Sequence, residues 1–552
     1  MSHDVLRSVL RGELLEPGTS AYDAARVVWN GLIDRRPALI ARCRNAADVI
    51  AAVNHARTHR LTIAVRSGGH NVAGYAVCDD GLMIDMSPMN AVHIAPGLDR
   101  VLIEGGATWG DVDAATTPFR RATPGGLISM TGVAGLTLSG GIGWLRGTHG
   151  LSCDNLIAAD VVTGDGRLIR ASEVENIDLL WALKGGGGNF GIVVNFELRL
   201  HEIADPVMFC APAYPEEHAV DVIPQWRDHM ASAPDEVSGL AEFSTIPSDQ
   251  AYPEQTWGRR VITLATVYDG PAEKGERVMQ PLRALGEPLL DFSGQMPYRE
   301  LQSIYDGLFP KGRDRCYWKS TYLSGLGDDV IGAIIERLIK RPSEMTYASI
   351  WKFGGAMQRV ASDATAFGDR NIPYMLSLDA IWSDPSDDDA NISWVRNAWQ
   401  DMQPHSTGRL YLNFPGLGEG DNLVRNALGA ETYSRLQKIK RVYDPENTEH
   451  CAGRSIVLTN ERSRQSARAA LCRWGGSTCG SKRASRRSGT PFRSRRCPAL
   501  SCYQWNIRAD ADEVNFIRGS VEEKRDDDGH DDIRSSERST YQAGSARRWY
   551  RP

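Results

Sequence analysis

The chain has 552 residues, which is too long for one ordinary hydrophobic core and predicts two or more domains. Its 42% hydrophobic and 24% charged residues are typical of a soluble globular protein, and its formal net charge of -6 gives no reason to expect nucleic acid or an anionic membrane as partner. No apolar run is long enough to span a bilayer, and the first 16 residues mix acids and bases, unlike a signal peptide. The ten cysteines lack the spacing of a disulfide framework, so we expect reduced thiols in a cytoplasmic protein.

The first 200 residues alternate helical and strand patterns. Apolar spacing predicts helices at 24–29, 46–59, 109–116 and 179–183, and strands at 61–65, 82–85, 101–104, 157–162, 167–170 and 191–200. The turn Thr163-Gly164-Asp165-Gly166 predicts a hairpin between two of these strands. The order is that of a mixed α+β fold and not of regular βαβ repetition.

The composition changes near residues 201–206, and a second domain is predicted over residues 205–410. It alternates strands, such as 260–267 and 375–382, with helices, such as 328–340. We expect this domain to build the substrate side of the molecule. Residues 411–447, with a helix at 431–442, are predicted to return to the first domain, residues 1–204.

The last hundred residues have a different character. Residues 462–496 are rich in arginine and contain no acid, whereas residues 521–532 are strongly acidic. Long apolar periodicity is absent, so residues 448–552 are predicted to be a disordered tail. An alternative hypothesis is a frameshift after Asn447. Sequencing the 3′ end of the gene would reject it if no intact frame follows the break.

Two glycine-rich loops are the strongest functional signal. The motif Arg66-Ser67-Gly68-Gly69-His70-Asn71 follows a predicted strand, and a second glycine-rich segment spans residues 131–143. Glycines allow backbone N–H groups to approach a ligand such as a pyrophosphate, and the histidine directs a ring nitrogen at the same ligand. One loop alone equally fits a tight turn beside a core histidine. The pair predicts a bound cofactor, which the histidine could hold covalently.

These motifs carry a family resemblance. Residues 66–70, 132–143 and Gly150-Leu151-Ser152-Cys153-Asp154-Asn155-Leu156 resemble FAD-linked oxidases of the vanillyl-alcohol-oxidase type, in the berberine-bridge-enzyme-like branch, nearest the bacterial 6-hydroxy-D-nicotine oxidase kind. The resemblance spans residues 21–447. It implies an α+β fold with a two-part PCMH-type FAD-binding domain and an inserted substrate domain of antiparallel sheet and helices. It also implies FAD joined through the flavin 8α-methyl group to His70.

The resemblance also identifies cofactor-binding positions. They are Arg66, Ser67, Gly68, Gly69, His70, Ser129, Thr131, Gly132, Gly135, Gly140, Asn155, Ile192, Val193 and Asn413. Some relatives carry a second flavin bond from a cysteine, but the corresponding residue is Ile128, so a single link is expected. Cys153 is predicted to be a buried apolar side chain.

A further glycine motif, residues 186–191, satisfies the G-x-G-x-x-G pattern literally. A dinucleotide-binding motif of that kind follows a strand and opens a helix. Here a predicted helix precedes the glycines and a predicted strand follows them. We therefore reject an NAD site and, from the resemblance, expect this segment near the flavin.

The substrate side is less specific. Tyr411 is the expected catalytic base by family position, which requires a depressed pKa, and a core tyrosine is the alternative. Trp351, Lys352 and Asp379 lie on strands expected to face the flavin, although each could be purely structural. Four aromatic residues could line a pocket or fill the core: Tyr317, Trp318, Tyr322 and Trp382.

The predicted function is an oxidase that transfers a hydride from a small amine, alcohol or sugar to FAD, with molecular oxygen as acceptor. An acceptor-dependent flavin dehydrogenase and an inactive FAD-binding protein are the alternatives. No metal site, nucleic-acid partner or membrane partner is predicted.

Overall fold

The computed structural model describes residues 3–418 and 422–447, and these belong to one compact unit. The predictions made for residues 448–552 lie outside the described residues. Within the described residues, no helix combines the length and the apolar character that crossing a membrane requires.

Side-chain caps begin three of the described helices, whereas most of the others begin without one. The described helices are α1 His3–Val9, α2 Ser20–Arg26, α3 Ala46–His59, α4 Trp109–Thr116, α5 Val133–Leu138, α6 Arg146–His149, α7 Ile177–Leu183, α8 Ala219–Ser232, α9 Ala272–Arg283, α10 Tyr298–Leu301, α11 Asp328–Leu338, α12 Ala356–Arg359, α13 Asp388–Asp401, α14 Leu423–Leu428 and α15 Ala430–Tyr443. Asn45 caps α3 by accepting a hydrogen bond from the Asp48 N–H at 3.0 Å. Thr108 and Asp111 form a reciprocal capping box at α4.

Two small sheets form the part of the fold built by residues before 205. The first has the order β1-β2-β4-β3 and contains β1 Glu13–Leu15, β2 Leu39–Arg42, β3 Ile63–Arg66 and β4 Leu82–Asp85. The second is antiparallel, with the order β5-β6-β10-β8-β9, and contains β5 Val92–Ile94, β6 Arg100–Glu104, β8 Leu156–Val162, β9 Leu168–Ser172 and β10 Ile192–Arg199. Strand β7, Arg121–Ala122, pairs separately with β11, His201–Glu202.

A nine-stranded antiparallel sheet follows. Its central order is β16-β13-β15-β14-β19-β20-β18, and β12 and β17 pair beside β15. The strands are β12 Val207–Cys210, β13 Pro212–Pro215, β14 Val237–Thr245, β15 Arg260–Tyr268, β16 Leu290–Asp291, β17 Gly294–Met296, β18 Arg315–Leu323, β19 Tyr347–Lys352 and β20 Tyr374–Trp382. The predicted mixed α+β class with an antiparallel second sheet is confirmed.

The large sheet has two faces of different character, because side chains alternate along a strand. One face packs against α8, α11 and α13 through Ala241, Phe243, Ala348, Ile350, Leu376, Leu378, Trp226, Ile331 and Val395. The other face is turned towards the small sheets. The side chains of this second face determine the chemistry described below.

The return segment, residues 411–447, packs against the second small sheet. Leu412, Leu436 and Ile439 share one hydrophobic cluster with Val101 and Phe196. The Nζ of Lys440 donates to the Asp444 carboxylate and to the Asn189 backbone oxygen, each at 2.7 Å. Both charged side chains are fully buried, so this pair fixes α15 against the glycine segment 186–191.

One predicted helix is misplaced by several residues. The helix expected at 24–29 is α2, which ends at Arg26 because Val27 is already extended. Trp29 instead lies in a loop, where its backbone N–H donates to the Gly69 oxygen at 3.0 Å and its indole ring stacks on His70. Helical periodicity could not reveal this long-range contact.

Candidate active site

A cavity of about 320 Å³ lies between the small sheets and the large one. We call one side the loop wall, formed by the lining residues of segments 67–71, 126–142 and 188–193. We call the other side the sheet wall, formed by Leu240, Glu242, Trp318, Tyr347, Ser349, Trp351, Met375 and Asp379. Tyr411 and Asn413 of the return segment also line the cavity.

The two glycine loops touch backbone to backbone. A Cβ added at Gly68 would lie 2.4 Å from the Gly132 nitrogen, and a Cβ at Gly132 would lie 2.3 Å from the Gly68 nitrogen. Gly69 adopts a φ of 71°, in the left-handed region. Glycine is therefore required at 68 and 132 by the contact between the loops, a reason that the sequence analysis did not give.

His70 is a neutral base that faces the cavity. Burial lowers its pKa to about 4, so the imidazole keeps a lone pair at neutral pH. Its ring stacks on Trp29 with 4.2 Å between centroids. The buried Nε2 atom has no hydrogen-bond partner among the described residues.

The loop wall fits a flavin cofactor. Besides His70 Nε2, the buried Ser67 Oγ has no partner within the described part of the chain, and both residues line the cavity. A Cβ at Gly135 would meet nothing within 4 Å, so this glycine opens onto free space. Unsatisfied polar atoms beside a glycine-lined space are the groups that a polar, planar ligand would satisfy.

The structure brings most of the predicted cofactor positions to this cavity. The lining residues among them are Ser67, Gly68, Gly69, His70, Thr131, Gly132, Gly135, Ile192, Val193 and Asn413. The segment 186–191 lies between α7 and β10, in the helix-then-strand order on which the NAD site was rejected. The second loop offers a pyrophosphate fewer backbone N–H groups than the sequence predicts. The N–H groups of Thr131 and Val133 already donate to the backbone oxygens of Ile128 and Ala107.

Two polar residues predicted to bind the cofactor, Arg66 and Ser129, are not among the residues that line the cavity. The Arg66 guanidinium binds the Asp85 carboxylate with an Nη2–Oδ2 distance of 2.6 Å. The Ser129 N–H donates to Asp306 Oδ1 at 2.8 Å, and its hydroxyl donates to the same carboxylate. Both side chains therefore fix the fold around the loop wall, because their polar groups are already used.

Gly140 and Asn155, also predicted to bind the cofactor, are likewise absent from the lining of the cavity. A Cβ at Gly140 would lie 2.8 Å from the Phe367 ring, and the residue has a φ of 120°. The Asn155 amide donates to the Leu151 oxygen at 2.9 Å, and its Oδ1 lies 2.6 Å from His201 Nε2. Both positions serve packing, and neither lines the cavity.

Tyr411 does not have the electrostatics of a base. Its hydroxyl oxygen accepts hydrogen bonds from the Gly141 N–H at 3.1 Å and from Asn413 Nδ2 at 2.8 Å. Burial nevertheless raises its pKa to about 12, the opposite of the depression that the predicted role requires. At neutral pH this hydroxyl keeps its proton and can donate it to a bound molecule in a hydrogen bond.

Two carboxyl groups face the cavity from the sheet wall. Strand register pairs Glu242 with Ser349, and Ser349 with Ser377, two residues before Asp379. Burial raises the pKa of Asp379 to about 7, and burial together with the Asp379 charge raises that of Glu242 to about 8. The sequence analysis missed Glu242, although an acid inside the apolar run Leu240-Ala241-Glu242-Phe243 was the available signal.

The other substrate-side candidates separate by strand alternation. Trp351 and Asp379 line the cavity. Lys352 points away, and its Nζ donates to the Phe353 oxygen. Of the four aromatic residues, only Trp318 lines the cavity, whereas the other three are buried in hydrophobic clusters: Tyr317, Tyr322 and Trp382.

The cysteine predictions agree with the geometry. Ile128 lines the cavity at the position where some relatives carry a cysteine. Cys153 is fully buried, and burial raises the pKa of its thiol well above the usual range. Among the described residues, no group of three or more His, Cys, Asp or Glu is placed to hold a metal ion.

Comparisons with known proteins agree with this geometry. Residues 37–172 match the FAD binding domain family model. The (R)-6-hydroxynicotine oxidase of Paenarthrobacter nicotinovorans is 30% identical over 79% of this chain and 95% of its own length. The uncharacterized FAD-linked oxidoreductase YgaK of Bacillus subtilis is 28% identical over 80% of this chain and 96% of its own length.

Solved structures extend the likeness to the fold. The 6-hydroxy-D-nicotine oxidase of Arthrobacter nicotinovorans superimposes with a TM-score of 0.72 at 28% identity, covering 80% of this chain and 97% of that one. A berberine-bridge-enzyme-like protein of Physcomitrella patens gives a TM-score of 0.74 at 22% identity, covering 82% and 99%, and shares the fold. The chain therefore belongs to the vanillyl-alcohol-oxidase/PCMH-type family of FAD-linked oxidases, in its berberine-bridge-enzyme-like branch, and is an FAD-dependent oxidoreductase.

Proposed function

We propose that this protein is an oxidase that holds FAD covalently through His70 and removes a hydride from a small organic substrate. Molecular oxygen is the proposed final acceptor, with hydrogen peroxide as product. The observation that carries the proposal is the buried, unpartnered and neutral Nε2 of His70 at a glycine-lined cavity. Oxidases among the relatives, including one named for 6-hydroxynicotine, support the same class of reaction.

The residues divide the work between the two walls. Bound FAD supplies the electron acceptor for the substrate C–H bond. His70 would hold the flavin at its 8α carbon through the ring-nitrogen lone pair, and Ile128 would offer no second nucleophile. Gly68, Gly69 and Gly132 let the loop backbone approach the cofactor, and the protonated Tyr411 hydroxyl can donate a hydrogen bond in the same space.

Acid precipitation tests the covalent link directly. Wild-type protein is expected to give a yellow pellet, and His70→Ala a colourless pellet with any flavin in the supernatant. His93→Ala, at an exposed position, serves as the control and should behave like wild type. A colourless wild-type pellet beneath a yellow supernatant would mean that the loops hold FAD without a bond to His70.

The oxygen assignment needs a separate kinetic measurement. Stopped-flow mixing of the reduced protein with aerated buffer should return the oxidised flavin spectrum within the turnover time. Slow reoxidation by oxygen, together with fast reoxidation by an artificial acceptor such as a quinone, would identify a dehydrogenase. Purified protein without flavin would identify the inactive alternative.

A further inference from the structure

We propose that the two carboxyl groups of the sheet wall, Glu242 and Asp379, which we call the carboxyl pair, select organic amines as substrates and accept the proton of the bound ammonium group. This inference rests on the proposed flavin function and adds the substrate class. The pair lies on the sheet wall, opposite the loop wall where His70 lies.

The strand register places the two carboxyl groups on one surface. Glu242 on β14, Ser349 on β19 and Ser377 on β20 are successive partners across three neighbouring strands. Asp379 projects from the same face of β20 as Ser377, since it is two residues further along the strand. The Ser377 hydroxyl donates to Asp379 Oδ2 at 2.9 Å and so orients the carboxyl group.

Asp379 still has an unsatisfied atom. Its residue is only 9% exposed, and Oδ1 has no hydrogen-bond partner among the described residues. A buried carboxyl oxygen without a donor destabilises the fold, and more so when it is charged. Such an atom at a cavity surface is explained by a ligand that brings its own N–H donor.

The cavity has acids but no positive side chain to neutralise them. Neither lysine nor arginine occurs among its lining residues in the described part of the chain. The other titratable groups that line it are His70, Tyr75, Tyr305, Tyr347 and Tyr411. His70 is neutral, and burial raises the pKa of Tyr305, Tyr347 and Tyr411, so these tyrosines stay uncharged as well.

Aromatic rings complete a site for a cation. Phe309, Trp318, Tyr347, Trp351 and Phe414 line the cavity around the pair. The faces of such rings attract ammonium groups, most strongly when water is excluded. Carboxyl groups and aromatic rings together favour a cationic organic molecule over a sugar or an anion.

Burial raises the pKa of Asp379 to about 7 and that of Glu242 to about 8, so at neutral pH Glu242 mostly keeps its proton and Asp379 is partly ionised. The remaining carboxylate can take one N–H proton from the substrate ammonium group, which frees the nitrogen lone pair. The C–H electron pair then leaves with its hydrogen to FAD, and the nitrogen lone pair forms the C=N bond of an iminium product. The substrate loses two electrons, FAD gains them, and the pair holds the extra proton.

The test measures binding, not turnover. Benzamidinium, benzamide and benzoate form a series of similar shape with positive, neutral and negative charge, and benzamidinium carries N–H donors but has no C–H bond beside its nitrogen atoms to be oxidised. Calorimetric titration at pH 8.5 should give a Kd for the cation at least tenfold below that for benzamide, with no detectable benzoate binding. The cation should bind at least tenfold more weakly at pH 6, because both carboxyl groups are then protonated while its own charge is fixed.

Variants localise the effect. Glu242→Gln and Asp379→Asn should each weaken cation binding about tenfold and flatten the pH dependence, and Glu287→Gln, the same change at an exposed acid outside the cavity, should stay within twofold of wild type. Equal affinity for the three probes, or a Kd for the cation that does not change with pH in the wild-type protein, would overturn the proposal without requiring any variant to fold.

The flavin content of the same samples separates this inference from the proposed function. Protein that binds the cation but carries no flavin would overturn the oxidase and retain the carboxyl pair as an amine site. Flavin-loaded protein that oxidises alcohols or sugars, and neither binds the cation nor oxidises benzylamine, would overturn the pair and retain the oxidase.

Discussion

The loop wall and the sheet wall line the same cavity, but the first depends on close backbone contacts and the second on buried acidic side chains. On the loop wall, glycines allow two backbones to touch. The titratable side chain that lines the cavity from segment 67–71 is the neutral His70. On the sheet wall, ordinary strands carry two acids in surroundings that disfavour their charge. Substituting a contacting glycine of the loop wall should reduce both stability and function. Substituting an acid of the sheet wall should instead reduce function and raise the free energy of unfolding, because functional groups are often placed where they destabilise the fold.

The largest expected effect is on the loop wall. In Gly132→Ala the new Cβ meets the Gly68 nitrogen at 2.3 Å, and neither backbone can move without moving its loop. We expect a loss of about 3 kcal/mol in the free energy of unfolding, at the upper end of overpacking effects, together with loss of bound flavin. Denaturant unfolding and the flavin absorbance per protein measure the two quantities.

Gly135→Ala is the matched control for that substitution. Its Cβ meets nothing within 4 Å, so the free energy of unfolding should change by less than about 1 kcal/mol. If Gly132→Ala unfolded no more easily than Gly135→Ala, the contact between the loops would not be what requires glycine, and the contrast between the walls would fail.

The next effect has the opposite sign and concerns the sheet wall. The pKa of Asp379 in the fold, about 7, is raised above its ordinary value of 3.8. The stability that this group contributes is therefore fully present below pH 3.8 and is lost as pH rises through about 7. Asp379→Asn removes the ionisation, so we expect it to be about 1–3 kcal/mol more stable than wild type at pH 8 and nearly equal at pH 4.

Thermal unfolding across this pH range checks the prediction, with the exposed Glu287→Gln as control. The control should follow the wild-type curve at every pH. An Asp379→Asn variant that is less stable than wild type at pH 8 would show that the carboxylate has a favourable partner in the folded protein.

The sequence predicted the loop wall better than the sheet wall, for physical reasons. Glycine runs next to strands are local signals, and Gly68, His70 and Gly132 carry them. The role of Trp29 against His70 depends on a contact between segments 41 residues apart, and a helical pattern hid it. Glu242 gave a weak local signal, because one acid in an apolar strand becomes meaningful only when the sheet places it on the same cavity wall as Asp379.

Three polar residues predicted to bind the cofactor have partners elsewhere in the fold. Arg66 and Ser129 lie next to lining positions in the chain, but their polar groups bind Asp85 and Asp306, and the Asn155 amide binds the Leu151 oxygen. Neighbourhood in sequence fixes where a backbone passes and does not fix where a side chain points. The same distinction separates Trp351, which lines the cavity, from its neighbour Lys352, which does not.

The smallest expected effect tests Tyr411, which lies between the two walls. If its hydroxyl only donates a hydrogen bond, as the pKa of about 12 indicates, Tyr411→Phe should lower kcat/KM by less than about tenfold and leave the pH profile unchanged. A general base contributes about 10²–10⁴-fold to the rate. A loss of kcat/KM of that size, together with loss of one limb of the pH profile, would identify Tyr411 and not the carboxyl pair as the base. Asn413→Ala keeps the Tyr411 hydroxyl but removes the Nδ2 group that donates to it. This variant should resemble Tyr411→Phe if the orientation of the hydroxyl is what matters. The comparison of these two variants with Asp379→Asn therefore decides which part of the cavity handles the substrate proton.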